Sequence, residues 1–203
     1  MQIYLKAGLA FVAVPKTGST AVHKTLGHST DIVFRGTLKH FTAVAYRRRI
    51  APFINNAFGV EAELFAVMRD PMDSLGSRFR YRSSKIFDGR PRSTKGLTFT
   101  EFAEGFVSDN PPKWAASESQ LSFITKKRKE IMVDHLFSYN SLDKLEAFLS
   151  ERFEKKISLD KTNVSPKRDM TLSEELEGRM REKLVRDYEI FDRLAQAGGY
   201  LHT

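Results

Sequence analysis

Phe11–Leu26 reads FVAVPKTGSTAVHKTL. An unbroken apolar run, Phe11 to Val14, ends at Pro15-Lys16-Thr17-Gly18-Ser19-Thr20. Val22 and Leu26, four apart, then follow. A continuous apolar run suits a strand buried on both faces, and a spacing of four suits a helix. The stretch is therefore a strand, a short turn and a helix entry. Such an entry presents backbone N–H groups and the positive end of the helix dipole. Gly18 lets the backbone approach a ligand closely. Lys16 adds a full charge, and Thr17, Ser19 and Thr20 add hydroxyl donors. The turn is built to cradle a phosphate-type oxyanion. It departs from the nucleoside-triphosphate loop G-x-x-x-x-G-K-[ST]: lysine precedes glycine, the first glycine is missing, and no strand-ending acidic residue stands out to hold magnesium.

A second junction repeats the arrangement. In Phe65–Arg82, FAVMRDPMDSLGSRFRYR, an apolar strand ends at Arg69 and a helix begins at Asp70-Pro71. Ser77 lies on that helix, where it can point back toward the strand end. Arginine grips a phosphate through two hydrogen bonds. Two anion-holding strand ends in one sheet imply a ligand with two separated phosphate-like groups.

The rest of the chain supplies the frame. Strands are expected at Leu9–Val14, Asp31–Phe34, Glu63–Met68 and Ile131–Ser138. A helix carrying Leu142, Leu145, Phe148 and Leu149 can be capped by Ser141. A last helix presents Leu176, Met180, Leu184, Tyr188 and Phe191 on one face, after the capping-box pattern of Thr171–Glu174. Alternating strands and helices predict an α/β fold with a parallel, doubly wound sheet, whose ligands bind at the carboxyl ends of the strands. Residues 1–203 are expected to form a single domain. Ser83–Gly96, polar and basic, reads as a surface loop or lid.

Composition bounds the partners. The 203 residues hold 33 Lys and Arg against 25 Asp and Glu, a formal charge of +8, which suits an anionic partner. Cysteine is absent, which excludes disulfides, thiolate metal sites and a cysteine nucleophile. No apolar run reaches the roughly 18 residues that a membrane span needs. Ala7–Val14 lacks a signal-peptide cleavage pattern and reads as a buried strand. A cytoplasmic protein is expected.

With both junctions in view, the chain resembles a family. Pro15–Thr20 is similar to the 5′-phosphosulfate loop of sulfotransferases, and Arg69-Asp70-Pro71 with Ser77 to their 3′-phosphate motif. VDHLFSYNSLDKLEAFL and TNVSPKRD resemble the family's late strand and helix and its late donor loop. The likeness runs from about Phe11 to Leu194 and is nearest the carbohydrate-modifying, Golgi-type branch. The resemblance implies a three-layer α/β/α, P-loop-NTPase-like fold and a metal-free reaction. It implies 3′-phosphoadenosine 5′-phosphosulfate as donor and a hydroxyl acceptor, a carbohydrate, with no nucleic acid partner. It further implies that Lys16, Thr17, Gly18, Ser19, Thr20, Arg69, Ser77, Lys167 and Arg168 bind the donor, and that Lys16 steadies the leaving oxygen.

The acceptor hydroxyl must lose a proton. His40, after the second expected strand, falls near the carboxyl edge of the sheet and matches a base of uronyl 2-O-sulfotransferases. Glu61, Glu63 and Asp88 are carboxylate alternatives. His135, inside an apolar strand, reads as a core residue, and His202 as part of the tail. Trp114 suits either stacking on a ligand or core packing. Arg47–Arg49 and Lys126–Lys129 suit a solvated face. Two other readings remain: a nucleotide-kinase relative, and a non-enzymatic polyanion or nucleic-acid binder. The second lacks an aromatic RNA-binding signature or a helix-turn-helix pattern.

Overall fold

A computed structural model describes residues 1–160 and 169–203. In chain order the strands are β1 (Gln2–Tyr4), β2 (Leu9–Val12), β3 (Ile32–Val33), β4 (Glu63–Met68), β5 (Thr125–Lys126), β6 (Glu130–Ile131), β7 (His135–Ser138) and β8 (Tyr200–His202). The helices are α1 (Ser19–Thr25), α2 (Ala43–Ala45), α3 (Ala51–Phe58), α4 (Pro71–Arg82), α5 (Phe99–Val107), α6 (Leu121–Ile124), α7 (Leu142–Arg152), α8 (Glu174–Lys183) and α9 (Val185–Gln196). The chain divides into two compact units. One holds Met1–Arg69, Gln120–Thr162 and Ile190–Thr203; the other holds Asp70–Ser119 and Asn163–Glu189.

The first unit is a mixed α/β sheet in the order β3-β1-β2-β4-β7-β8. Its centre is parallel: Leu9 pairs with Glu63 across β2 and β4, and Phe65 with His135 across β4 and β7. The period of two sends alternate side chains to opposite faces. Ala10, Val12, Leu64, Ala66 and Leu136 meet Tyr46, Ile54, Leu121, Ile190 and Leu194 on one side. Leu9, Phe11, Phe65, Val67 and Phe137 meet Val22, Leu26, Leu145 and Leu149 on the other. Both faces are therefore covered, which is why β2 and β4 read as unbroken apolar runs.

The fully parallel sheet expected from the strand–helix alternation is corrected at its edges. β1 pairs antiparallel with β2 and β3, and β8 with β7. A tight turn links β1 to β2, with the Gly8 N–H donating to the Leu5 carbonyl at 3.1 Å and Gly8 at φ 60°. So short a link can join only antiparallel strands. The expected strand at Ile131–Ser138 is two strands, because Asp134 interrupts it. Its carboxylate accepts from the Leu64 N–H at 2.6 Å and pairs with Arg47 at 2.8 Å. β6 instead forms a separate hairpin with β5. Its tip, Lys127 and Arg128, has φ of 52° and 56°, the signature of a type I′ turn.

The second unit packs α4, α5 and α8 around Leu75, Phe79, Phe102, Phe106, Leu176 and Met180. Thr98 and Glu101 form a full capping box on α5. Trp114 packs against this core, and a Cβ on Gly105 would lie 2.5 Å from its ring. Arg82, 5% exposed, donates to the Trp114 and Ala116 carbonyls at 2.8 and 2.9 Å. Two expected caps are corrected: Ser141 makes no side-chain cap, and α8 is capped by Ser173 rather than Thr171, through the Leu176 N–H. The single last helix is two, divided at Leu184, whose φ and ψ of −100° and 7° leave the α region. Among the described residues no helix is long and apolar enough to cross a membrane.

Candidate functional site

The carboxyl ends of β2, β4 and β7 lie side by side in the first unit, and the residues that follow them come into contact. The turn after β2 is left-handed twice, at Lys16 (φ 70°) and at Gly18 (φ 75°, ψ 13°). Lysine tolerates that region poorly, and outliers of this kind gather at ligand-binding turns. Turns that bring backbone N–H groups together in this way form anion-binding concavities. Gly18 is required twice over, by its backbone angle and by space. A Cβ there would stand 3.0 Å from Tyr139 Cε2.

Tyr139 follows β7, with its N–H donating to the Met68 carbonyl at 2.8 Å. Its ring also carries the Arg69 guanidinium, 4.5 Å from the centroid. Arg69 ends β4 and donates from Nη1 to the Lys16 carbonyl at 3.4 Å. Its backbone is held at both polar groups by Gln120, 4% exposed. The Arg69 N–H donates to Oε1 at 3.0 Å, and Nε2 donates to the Arg69 carbonyl at 2.8 Å. Lys16, Gly18, Arg69 and Tyr139 thus form one contiguous cationic and aromatic cradle.

His40 ends a 3₁₀ turn over Gly36–His40, and Nδ1 lies 2.6 Å from the Ala13 carbonyl, just past the end of β2. A carbonyl only accepts, so Nδ1 carries a proton, and in the neutral form of the ring Nε2 is the basic nitrogen. That is the tautomer a general base needs. Beside it lie Lys39, whose pKa burial lowers, and His23, pushed down to about 4. Burial is the main cause for His23, followed by the positive chain amino group, Lys39 and His40. The His23 ring edges Phe11 at 5.6 Å.

The other expected residues fall as follows. Thr17 is 1% exposed, and its hydroxyl donates to the Val14 carbonyl at 2.9 Å, which commits that hydrogen to holding the turn. Ser19 is buried and Thr20 exposed at the start of α1. Ser77 is a buried residue of α4 in the second unit. Lys167 and Arg168 lie outside the described residues. Glu63 opens β4 at the opposite, amino end, where it pairs with Arg152 and accepts from His135 at 3.3 Å; Arg152 is the main cause that lowers its pKa. Asp88 pairs with Lys95 at 2.8 Å in the second unit. His135 is a buried residue of β7, bonded also to Tyr200. His202 is no tail residue: it lies in β8, its ring stacked 4.9 Å from His135.

Sequence reasoning missed Tyr139 and Gln120. The rule that ligands gather at strand carboxyl ends points to Tyr139, directly after β7. Gln120 bears no local signal, because its partner is 51 residues away. Comparison of the chain with protein-family models, curated proteins and solved structures finds no match.

Proposed function

We propose that the chain is a sulfotransferase that moves the sulfuryl group of 3′-phosphoadenosine 5′-phosphosulfate to a hydroxyl of a carbohydrate acceptor. The observation that carries this reading is the meeting of the Lys16–Gly18 turn, Arg69 and Tyr139 at three parallel strand ends. The cradle suits a phosphosulfate: a left-handed turn carries Lys16, Arg69 lies over the Tyr139 ring beside it, and Tyr139 leaves no room for a Cβ on Gly18. The donor supplies an activated sulfuryl group and a stable phosphate leaving group. The chain supplies charge and position. Lys16 carries the charge that a leaving oxygen calls for, and Arg69 suits a second anion. Ser77, Lys167 and Arg168 enter through the family resemblance alone. Nε2 of His40 takes the acceptor proton. A P-loop-NTPase-like sulfotransferase fold and a cytoplasmic setting belong to the same proposal.

Calorimetry with 3′-phosphoadenosine 5′-phosphate in a chelator tests the donor site, and transfer of labelled sulfate to a panel of glycans tests the reaction. Binding is expected without metal. Arg69→Ala should weaken it roughly ten- to hundredfold, since a hydrogen bond to a charged group contributes about 1.5 to 3 kcal/mol. Lys16→Ala should lower turnover more than affinity, because its charge matters most in the transition state. Steeply salt-dependent binding of any polyanion, with no preference for the donor nucleotide, would instead establish a non-enzymatic binder.

A further inference from the structure

A cleft of about 590 Å³ opens in the first unit at the edge opposite the strand-end cradle. Its volume is that of small-molecule sites. Lys16, Arg69 and Tyr139 follow strand carboxyl ends, whereas Glu61, Glu63 and Asp134 of this cleft stand at or just before the amino ends of β4 and β7. The opposite wall is a helical stretch with a π-helical turn at Tyr46–Ile50, closed by the Ala51 N–H donating to the Tyr46 carbonyl. Pro52, in the first turn of α3, has no N–H for the usual i−4 bond, so the wider turn is tolerated there.

That turn sets Tyr46 into the cleft wall. The residue is 1% exposed, yet among the described residues its hydroxyl has no hydrogen-bond partner. Buried hydroxyls are rarely left so, because an unmade bond costs stability. Burial also raises the phenol pKa, so it remains a neutral donor and acceptor. The charged groups are three carboxylates against one guanidinium, an acidic patch in a chain of formal charge +8. Arg47 is engaged by Asp134 and by the Met132 carbonyl at 3.0 Å, and Glu63 by Arg152 and His135. Among the described residues Glu61 accepts a single 3.3 Å bond, from the Asn55 amide, which leaves most of its acceptor capacity in the cleft.

We propose that this cleft binds a small hydroxylated amine of the amino-sugar class, its ammonium facing Glu61 and a hydroxyl paired with Tyr46. The acceptor surplus and negative charge select a cationic donor ligand, and the orphan phenol selects one with hydroxyls. The assignment does not rest on the donor cradle.

Calorimetry of the full chain with glucosamine as probe, beside glucose, spermidine and sulfate, tests it. Glucosamine is expected to bind saturably at one site, more tightly than the other three. Tyr46→Phe and Glu61→Gln should each weaken it about tenfold. Tyr46→Phe should unfold at or above the wild-type temperature, because it removes no internal bond. Absence of saturable glucosamine binding overturns the proposal, as does unchanged affinity in both variants. Glucose or spermidine matching glucosamine, or sulfate binding more tightly, overturns the ligand class. A lowered unfolding temperature for Tyr46→Phe would mean that ordered water, and not a ligand, satisfies the hydroxyl.

Discussion

Gly18 concentrates two demands in one residue. Its φ of 75° lies where a side chain costs about 1 to 2 kcal/mol, and the space for a Cβ is taken by Tyr139. Gly18→Ala is therefore expected to lower the unfolding temperature by roughly 4 to 8 °C, from about 2 kcal/mol in a chain of this size. It should also displace Tyr139 from beneath Arg69. An unchanged melting curve would show that the turn can relax. His40 carries the sharper functional expectation. If Nε2 takes a proton from the acceptor, His40→Ala keeps its fold and donor affinity while turnover falls by about two to four orders of magnitude. The wild-type rate should rise with pH through a histidine ionisation, and that limb should vanish in the variant. A variant that turns over normally excludes His40 as the base.

At the scale of elements, the cradle depends on how the end of β4 is held. The Gln120 amide satisfies both backbone groups of Arg69 from the end of α6. Gln120→Ala leaves two part-buried backbone groups of Arg69 without that partner, which should destabilise the chain by roughly 1 to 3 kcal/mol and weaken nucleotide binding with it. Gln120→Glu separates the two bonds, since it keeps the acceptor and loses the donor. Thermal unfolding and calorimetry of the pair give the answer; equal stability for all three proteins would show that the latch holds nothing. Element boundaries follow the same logic of partners. Asp134 breaks an apolar run because it serves the Leu64 N–H, and Leu184 divides a helix whose apolar stripe continues through the break.

For the molecule as a whole, acid is the sensitive direction. His23 has its folded pKa held down to about 4, below an unfolded value near 6.5. The unfolded chain then binds more protons between those values, so the stability His23 contributes is complete above pH 6.5 and is lost as pH falls toward 4. The size is on the order of 3 kcal/mol. Glu63, lowered chiefly by Arg152, acts in the same sense at lower pH. His23→Phe keeps a ring against Phe11 and should flatten the fall in unfolding temperature between pH 6.5 and 4. Parallel pH curves for variant and wild type would remove His23 as the cause.

The local features were legible because they depend on near neighbours in the chain. The β2 turn with Lys16 and Gly18, the strand ending at Arg69 and the apolar periods of α7 and α8 are set by residues within a few positions. Two faces covered by helices followed from runs with no polar alternation. What required the folded chain was every relation between distant segments. The antiparallel edges arise because β1 returns through a tight turn and β8, which follows α9, runs back along β7. The cradle itself is such a relation: Gly18, Arg69, Gln120 and Tyr139 are dispersed in the chain, and only the parallel register of β2, β4 and β7 brings their ends together. The orphaned Tyr46 hydroxyl is another. No local pattern records that a hydroxyl lacks a partner, because the absence is a property of everything packed around it.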